Sequence, residues 1–298
     1  MMDAVSSITL RDDELVCVVG PTASQKTELA IRLCEAFGGE VISADSVQIY
    51  RQFDVGSGKP TDAEMQRARH HLVSVAEPTE PWDAARWARA ASDAIAEVRS
   101  RGKHPIVCGG AYLWVRALVL GLADAPEASP EVRSRLQEEA QKLGREALHA
   151  RLAQVDPVLA ARLSPRDFVR VQRALEVFEL TGKRLSDLHA EHKRQPPRFA
   201  ARLVGVQWTP DALERRIAQR AEAWLRDGWI DEVRSLLAAG LRETRSMGSV
   251  GYKQVAECLD GQLKESDLLV AITRATKIFA RRQRTWLRDE PVQWLEPL

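Results

Sequence analysis

The 298-residue chain has only four cysteines, Cys17, Cys34, Cys108 and Cys258, far apart and without a CxxC pair. Such spacing suggests neither a zinc knuckle nor a disulfide framework, and reduced thiols, mostly in the core, are expected. No apolar run approaches the roughly 20 residues that a bilayer crossing needs. The opening MMDAVSSITLRDDELV has neither a basic start nor an apolar signal core, so a cytoplasmic protein without membrane attachment is expected. A charge excess of one sign is missing too. The 43 basic residues against 42 acidic leave a net +1, so bulk charge cannot hold nucleic acid and any such binding must rest on local clusters. Internal repeats and low-complexity tracts are absent. A composition 45% apolar and 29% charged, with 17 Gly and 14 Pro, disfavours collagen-like, coiled-coil and disordered chains. The length suits two domains, or one domain carrying a large insertion.

In ELVCVVGPTASQKTELAIRLCEAF, an apolar run from Leu15 to Val19 has strand character. After a Gly-Pro-Thr turn, Leu29, Ala30, Leu33 and Phe37 recur at helical spacing. A second short strand is expected over Glu40–Ser43, a helix over 83–101 with Trp87, Ile95 and Val98 near one face, and a buried strand in HPIVCGG from His104. Strands alternating with helices predict a mainly parallel sheet with ligands at the carboxyl ends of its strands. Residues 130–192 are almost wholly helix-forming, with stops at Asp156-Pro157, Ser164-Pro165 and Thr181-Gly182. A local basic cluster runs from Arg162 to Arg202, including Arg162, Arg166, Arg170, Arg173, Lys183, Arg184, Lys193 and Arg194. Because Leu203–Trp208 reads as a strand again, the helical block is expected to be an insertion over 125–198, between core segments 1–124 and 199–298. Helices then fill 211–290, with a last strand near Val292–Leu295.

GPTASQKT, Gly20 to Thr27, nearly fits the phosphate loop G-x-x-x-x-G-K-[ST], with strand before and helix after. In such a loop the backbone N–H groups and the helix amino terminus face phosphate oxygens. Lys26 would add a mobile positive charge, and Thr27 could ligate Mg²⁺. Gln25 stands where the motif has its second Gly; if that backbone needs a positive φ, Gln costs on the order of 1 kcal/mol. GSGKPT, at Gly56–Thr61, is a decoy, with Pro60 after the Lys and its first Gly at the wrong spacing. Asp45 falls just after the second strand, where a turn or helix-cap role competes with a catalytic one. Trp82, Trp87, Trp224, Trp229 and Trp286 are expected to pack, and adjacent His70 and His71 lack the spacing of a metal site.

GPTAS-KT, ISADS-QIY, KPT, HHL and a strand ending in GG, followed by LHARLAQVDPVLAARLSPRDFVRVQRALEVFELTGKRLS, ERRIAQR, MGSVGYKQ and ARRQRTWLR, together resemble the tRNA dimethylallyltransferases. The resemblance covers about Glu14 to Trp294, and without a carboxyl-terminal zinc finger it is to the bacterial type. It implies a P-loop NTPase-like α/β core with an all-helical, tRNA-binding insertion, in a monomer. It also implies transfer of a dimethylallyl group from dimethylallyl diphosphate to the exocyclic amine of the adenosine 3′ to the anticodon. By that resemblance Gly20, Pro21, Thr22, Ala23, Ser24, Gln25, Lys26 and Thr27 would hold the diphosphate with Mg²⁺, Asp45 would be the general base, and Arg220 would point at the diphosphate. The anticodon stem-loop would meet Asp45, Ser46, Val47 and Gln48, then Val169, Arg170, Val171, Gln172 and Arg173, and finally the turn Gly251, Tyr252 and Lys253.

The chain departs from the family's pattern at Gln25, at Val47 in place of an Arg, at Ala111 and Tyr112 in place of Thr-Gly, and at Lys277. Ala111 falls at a catalytic position but lacks the hydroxyl, and Tyr112 brings a ring where only hydrogen is expected. Three readings follow: an active transferase, a catalytically weakened tRNA-binding homologue, or a P-loop enzyme acting on a free nucleotide. The basic insertion speaks against the last, since a free nucleotide has little need of it.

Overall fold

The computed structural model describes Val5, residues 8–11 and residues 13–298; the first four residues of the expected core segment lie outside the described residues. β1 (Glu14–Val19) leads through the phosphate-loop sequence into α1 (Lys26–Phe37), then β2 (Gly39–Ser43), α2 (Asp62–Arg67), β3 (His70–His71), α3 (Ala84–Ser100), β4 (His104–Gly109) and α4 (Tyr112–Val119). Five helices follow: α5 (Pro130–Leu143), α6 (Arg145–Val155), α7 (Pro157–Ala160), α8 (Phe168–Thr181) and α9 (Leu185–His192). The sheet resumes at β5 (Ala200–Val206), and α10 (Pro210–Arg226), α11 (Trp229–Ala238), α12 (Tyr252–Leu259) and α13 (Glu265–Leu287) precede β6 (Val292–Leu295). The chain divides into one unit that runs to Val119 and resumes over Arg198–Leu298, and a second over Leu120–Pro197.

The six strands are ordered β3-β2-β4-β1-β5-β6, and every pairing is parallel. A parallel sheet has both faces covered, and its strands divide their apolar side chains between two cores. Leu15, Cys17 and Val19 of β1 enter one core with Ile42, Val107, Trp87 and Trp229. Val16 and Val18 enter the other with Val41, Ile106, Val204 and the buried face of α1. β3, two histidines long, was not anticipated; it is too short to carry an alternation pattern. α3 starts where Asp83 accepts a hydrogen bond from the Arg86 N–H, and it buries Trp87, Ala91, Ala94, Ile95 and Val98. Trp87 stacks on Trp114 of α4 with ring centroids 5.4 Å apart.

The order of the strands places the carboxyl ends of β2, β4 and β1 side by side, with Ser43 opposite Cys108 and Val19 opposite Gly109. All three strands turn off the sheet there, and close packing leaves no room for a side chain at Gly109. A Cβ on Gly109 would lie 2.0 Å from the Ala44 carbonyl oxygen.

The helical unit has a core of its own, built on Leu136, Leu148, Leu152, Val171, Leu175, Val177 and Leu188. Two buried carboxylates organise it. Asp156 accepts from the N–H of Leu159 at 3.0 Å and of Ser186 at 2.9 Å, tying the start of α7 to α9. Glu176, fully buried, accepts from the Ser129 N–H at 2.8 Å, from Arg133 Nε at 2.9 Å and from Arg173 at 2.6 Å. Burial pushes the Glu176 carboxyl up, but the two guanidinium groups outweigh it and hold the group below its ordinary 4.5.

With the folded carboxyl titrating below the unfolded one, the stabilisation from Glu176 is complete above pH 4.5 and is lost as the pH falls through the lower folded value. Glu176→Ala is expected to destabilise the helical unit by about 2 kcal/mol, less than a fully buried pair would lose because Arg133 is half exposed. Urea denaturation monitored by circular dichroism at pH 7 and pH 3.5 measures both: the variant should lose most of the wild-type pH dependence attributable to this group.

Candidate active site

The loop after β1 is shaped by residues far away in sequence. Gln283 of α13 accepts from the Thr22 N–H through Oε1 at 2.8 Å and donates through Nε2 to the Gly110 carbonyl at 3.0 Å. One carboxamide therefore joins the loops that follow β1 and β4, and a Cβ on Gly110 would lie 2.4 Å from its Nε2. From α10, Arg216 donates to the Ala23 carbonyl at 2.9 Å and Arg220 to the Thr22 hydroxyl. Each arginine lies over a tryptophan ring, Arg216 over Trp208 at 4.4 Å and Arg220 over Trp224 at 4.5 Å. Trp208 Nε1 in turn donates to the Ser24 carbonyl at 3.3 Å.

So held, the loop adopts left-handed backbone at two residues that are not glycine, Ala23 (φ 65°) and Gln25 (φ 67°, ψ 24°). The positive φ is the conformation for which the motif uses glycine, and a side chain there costs about 1 kcal/mol. Gln25 immediately precedes α1, and its side chain makes no capping bond to that helix.

Two recesses meet at this loop. An outer one of about 510 Å³ is lined by Ser24, Gln25, Lys26, Thr27, Arg216 and Arg220, among others. An inner one of about 100 Å³ shares Lys26, Thr27 and Arg220, adds Asp45, Gln48, Cys108 and Gln283, and has an apolar wall of Val41, Pro60 and Phe279. Lys26 Nζ donates to the Pro21 carbonyl at 2.7 Å. Burial, with Arg220 nearby and Asp45 opposing, brings the Lys26 ammonium down to about 8. Burial likewise brings Arg220 down to about 10, against the attraction of Asp45. Two cationic groups held at a cost in a recess at the start of a helix form a site waiting for an anion.

Asp45 Oδ1 accepts from the N–H groups of Val47 at 2.9 Å and Gln48 at 3.3 Å, so the carboxylate builds its own turn while lining the inner recess. The turn role that the sequence leaves open is filled, and the same group still lines a recess. Gln48 is a structural tie: it accepts from the Ser43 hydroxyl at 3.2 Å and donates to the carbonyls of Ser57 and Gly58 at 3.2 and 2.8 Å. Ser46 is half-buried on this turn, and Val47 packs on the core.

Several expected contacts are placed differently. Ala111 lies against the core, with its N–H donating to the Ala44 carbonyl at 3.1 Å, and it lines neither recess. The Tyr112 ring is buried in the same core and also lines neither. Tyr252 is wholly buried and donates to Glu232 at 2.6 Å, and Gly251 is walled in by the Trp229 ring, so of that turn only Lys253 is exposed. On α8, Val171 is core, Gln172 donates to the Arg133 carbonyl, and Arg173 is tied to Glu176 and the Pro126 carbonyl. Val169 and Arg170 are exposed, Arg170 beside Asp167. Trp286 is half exposed rather than packed away.

Gln283 and Phe279 were not singled out from sequence, and His70 and the GSGKPT loop, set aside there, also line the inner recess. Of that loop, Ser57, Gly58 and Pro60 form a wall of the inner recess. Glu232 accepts from the N–H groups of Asp54 and Val55 and so fixes it. His70 donates through Nδ1 to the Ala68 carbonyl, burial holds its pKa down, and its buried Nε2 has no hydrogen-bond partner among the described residues.

For a metal, the described residues hold no cluster of three His, Cys, Asp or Glu side chains. Thr27 and Asp45 do line the inner recess. Hard oxygen donors in this number fit a cation such as Mg²⁺, which keeps waters and takes most of its ligands from substrate phosphates.

A parallel sheet with a phosphate-type loop after its central strand, two arginines on that loop and a carboxylate beyond it defines a P-loop-fold enzyme that handles a phosphorylated substrate. Residues 48–290 match the family described as IPP transferase, and residues 13–79 match Isopentenyl transferase. The chain belongs to the IPP transferase family. It is 58% identical over 282 residues to the tRNA dimethylallyltransferase of Sorangium cellulosum, covering 95% of this chain and 90% of that protein. To the tRNA dimethylallyltransferase of Geobacter sulfurreducens it is 43% identical over 285 residues, covering 95% and 92%. Among solved structures, the tRNA isopentenylpyrophosphate transferase of Bacillus halodurans is 33% identical with a TM-score of 0.70, over 95% of this chain and 90% of that one. A eukaryotic dimethylallyltransferase acting on tRNA, 24% identical, shares the fold with a TM-score of 0.82 over 96% and 74%.

The lysine supplies a direct test of the anion site. An anion favours charged Lys26, so binding near pH 8 should take up a proton, and affinity should be flat below about pH 7 and fall as the pH rises through about 8. Sulfate, whose charge is constant in this range, is the suitable probe. Calorimetry in buffers of different ionisation enthalpy should show the uptake in the wild type and none in Lys26→Met.

Proposed function

We propose that this chain transfers a dimethylallyl group from dimethylallyl diphosphate to the exocyclic amine of the adenosine 3′ to the anticodon of tRNA, giving N6-isopentenyladenosine. The observation that carries this reading is the junction of the two recesses. Lys26, Thr27 and Arg220 belong to both, with anion-binding groups on one side and a carboxylate beside an apolar wall on the other.

The chemistry follows from that arrangement. The loop N–H groups, Lys26 and Arg220 bind the diphosphate and stabilise the negative charge that grows on it as the allylic C–O bond breaks. Val41, Pro60 and Phe279 give the five-carbon group an apolar wall and keep water from the electron-poor carbon. The adenine nitrogen forms the new C–N bond and releases one proton, which Asp45 accepts, while diphosphate leaves. Thr27, with Asp45 in reach of the same recess, would hold Mg²⁺, whose charge when bound adds to the neutralisation of the leaving group. Gln283 and Gln48 take no part in bond making; they keep the loops around the recess in register.

The base must leave the anticodon-loop stack to reach a buried donor, which a single-stranded loop allows at small cost. In the helical unit Arg162, Arg166, Arg170, Lys183, Arg184, Lys193 and Arg194 are all exposed. They are the phosphate contacts this reading assigns to the stem-loop, with Val169 as an apolar contact. Arg173 and Val171 hold α8 in place beneath them. The substitutions at Ala111 and Tyr112 do not speak for a weakened homologue, because neither side chain enters the recess.

Asp45→Asn should lower the transfer rate by about 10²- to 10⁴-fold, the usual contribution of a positioned base, and leave tRNA affinity near that of the wild type. Mass analysis of nucleosides from tRNA incubated with dimethylallyl diphosphate and Mg²⁺ measures the first, and filter binding the second. Wild-type protein that forms no isopentenyladenosine would overturn the reading.

A further inference from the structure

We infer that Gln25 is a ligand of the leaving group: its side-chain amide donates to the diphosphate from a loop position whose backbone conformation would otherwise call for glycine. The inference rests on the proposed transferase reading and concerns the same site.

Three observations carry it. Gln25 sits at φ 67° and ψ 24°, in the left-handed region, so the side chain is kept against a backbone cost that glycine would remove. It is not repaid within the fold. The side chain makes no capping bond to α1, and its Oε1 is buried with no hydrogen-bond partner among the described residues. Finally, Gln25 lines the outer recess beside Lys26, Thr27 and Arg220. With Oε1 turned into the protein, Nε2 is the amide atom left to serve that recess.

Its neighbour points to the same vacancy of partners. Ser24 is 1% exposed, lines the same recess, and its Oγ likewise has no partner among the described residues. Two adjacent polar side chains with buried, unanswered oxygens at one anion recess are unusual, because buried polar atoms are almost always paired. A diphosphate answers the Ser24 hydroxyl, whose proton its oxygens accept, and offers the same acceptors to Gln25 Nε2, while Oε1 stays turned into the protein. Glycine offers only its backbone N–H, so this chain holds the leaving group with one donor more than its loop motif requires.

Two substitutions test the role, Gln25→Gly and Gln25→Leu, with inorganic diphosphate as the probe, measured by calorimetry in the presence of Mg²⁺ on the whole protein. Gln25→Gly should raise the Tm by about 2 °C, as relief of the left-handed residue implies, and yet weaken diphosphate binding about tenfold, the loss of one hydrogen bond to a charged group. Gln25→Leu, equally bulky and equally strained but without a donor, should lose affinity to the same degree with no gain in Tm. A purely structural residue cannot move stability and affinity in opposite directions in this way.

Diphosphate affinity unchanged or improved in Gln25→Gly would overturn the inference. So would a loss in Gln25→Gly alone, which would assign the effect to loop stiffness and not to the donor. In both cases wild-type protein that binds diphosphate and modifies tRNA leaves the transferase reading intact. Wild-type protein that binds no diphosphate removes both.

Discussion

The Gln283 carboxamide is the joint on which the site depends. It meets the Thr22 N–H after β1 and the Gly110 carbonyl after β4, and so fixes the spacing between two loops that no strand pairing controls. Parallel strands are hydrogen-bonded along their length, but the chain beyond their carboxyl ends is free of the ladder. A tie from elsewhere is therefore needed, and α13 supplies it from more than 170 residues further along the chain. α10 adds Arg216 and Arg220 to the same loop. The elements after the helical unit thus shape a loop near the start of the chain, which makes the phosphate loop a product of the whole core unit and not a local motif.

This arrangement bears on what could be read in the sequence. The strands of the core were legible because each is a short apolar run between turn residues, and α1 and α3 because their apolar residues recur at helical spacing. The phosphate loop was legible because its backbone chemistry demands particular residues at particular spacing, even with Gln25 in it. Gln283 was not, since a glutamine among arginines and lysines near the end of α13 reads as one more solvated residue, and only the path of the chain carries it to the loop. Tyr252 misled for the converse reason. A polar aromatic beside Gly251 and Lys253 looks like a contact for nucleic acid, whereas its hydroxyl is spent on Glu232 inside the core.

Arginines tell the same story in the helical unit. A count of basic residues treats them alike, but burial of Glu176 separates them by function. Arg133 and Arg173 neutralise a carboxylate that the core has enclosed, while those on the outer turns keep their charge for solvent or a partner. No composition argument makes that division, because it depends on which side of α8 faces Leu148 and Leu152. The GSGKPT segment shows a related ambiguity. Its glycines resemble a phosphate loop, but they permit close packing against Trp224 and Trp229, with a Cβ on Gly56 falling 1.8 Å from the Trp229 ring.

The way the chain leaves and re-enters the core unit has an evolutionary consequence. The Val119 carbonyl accepts from the N–H groups of Arg198 at 2.8 Å and of Phe199 at 3.3 Å, so the two ends of the intervening 78 residues are fastened together at their root. For the sheet, what lies beyond that root is equivalent to a surface loop of any length, because the entropy of closing it grows only slowly with size. Helices could be gained, lost or exchanged there without moving the catalytic groups. The helical unit and the sheet that carries the phosphate loop can therefore diversify at separate rates.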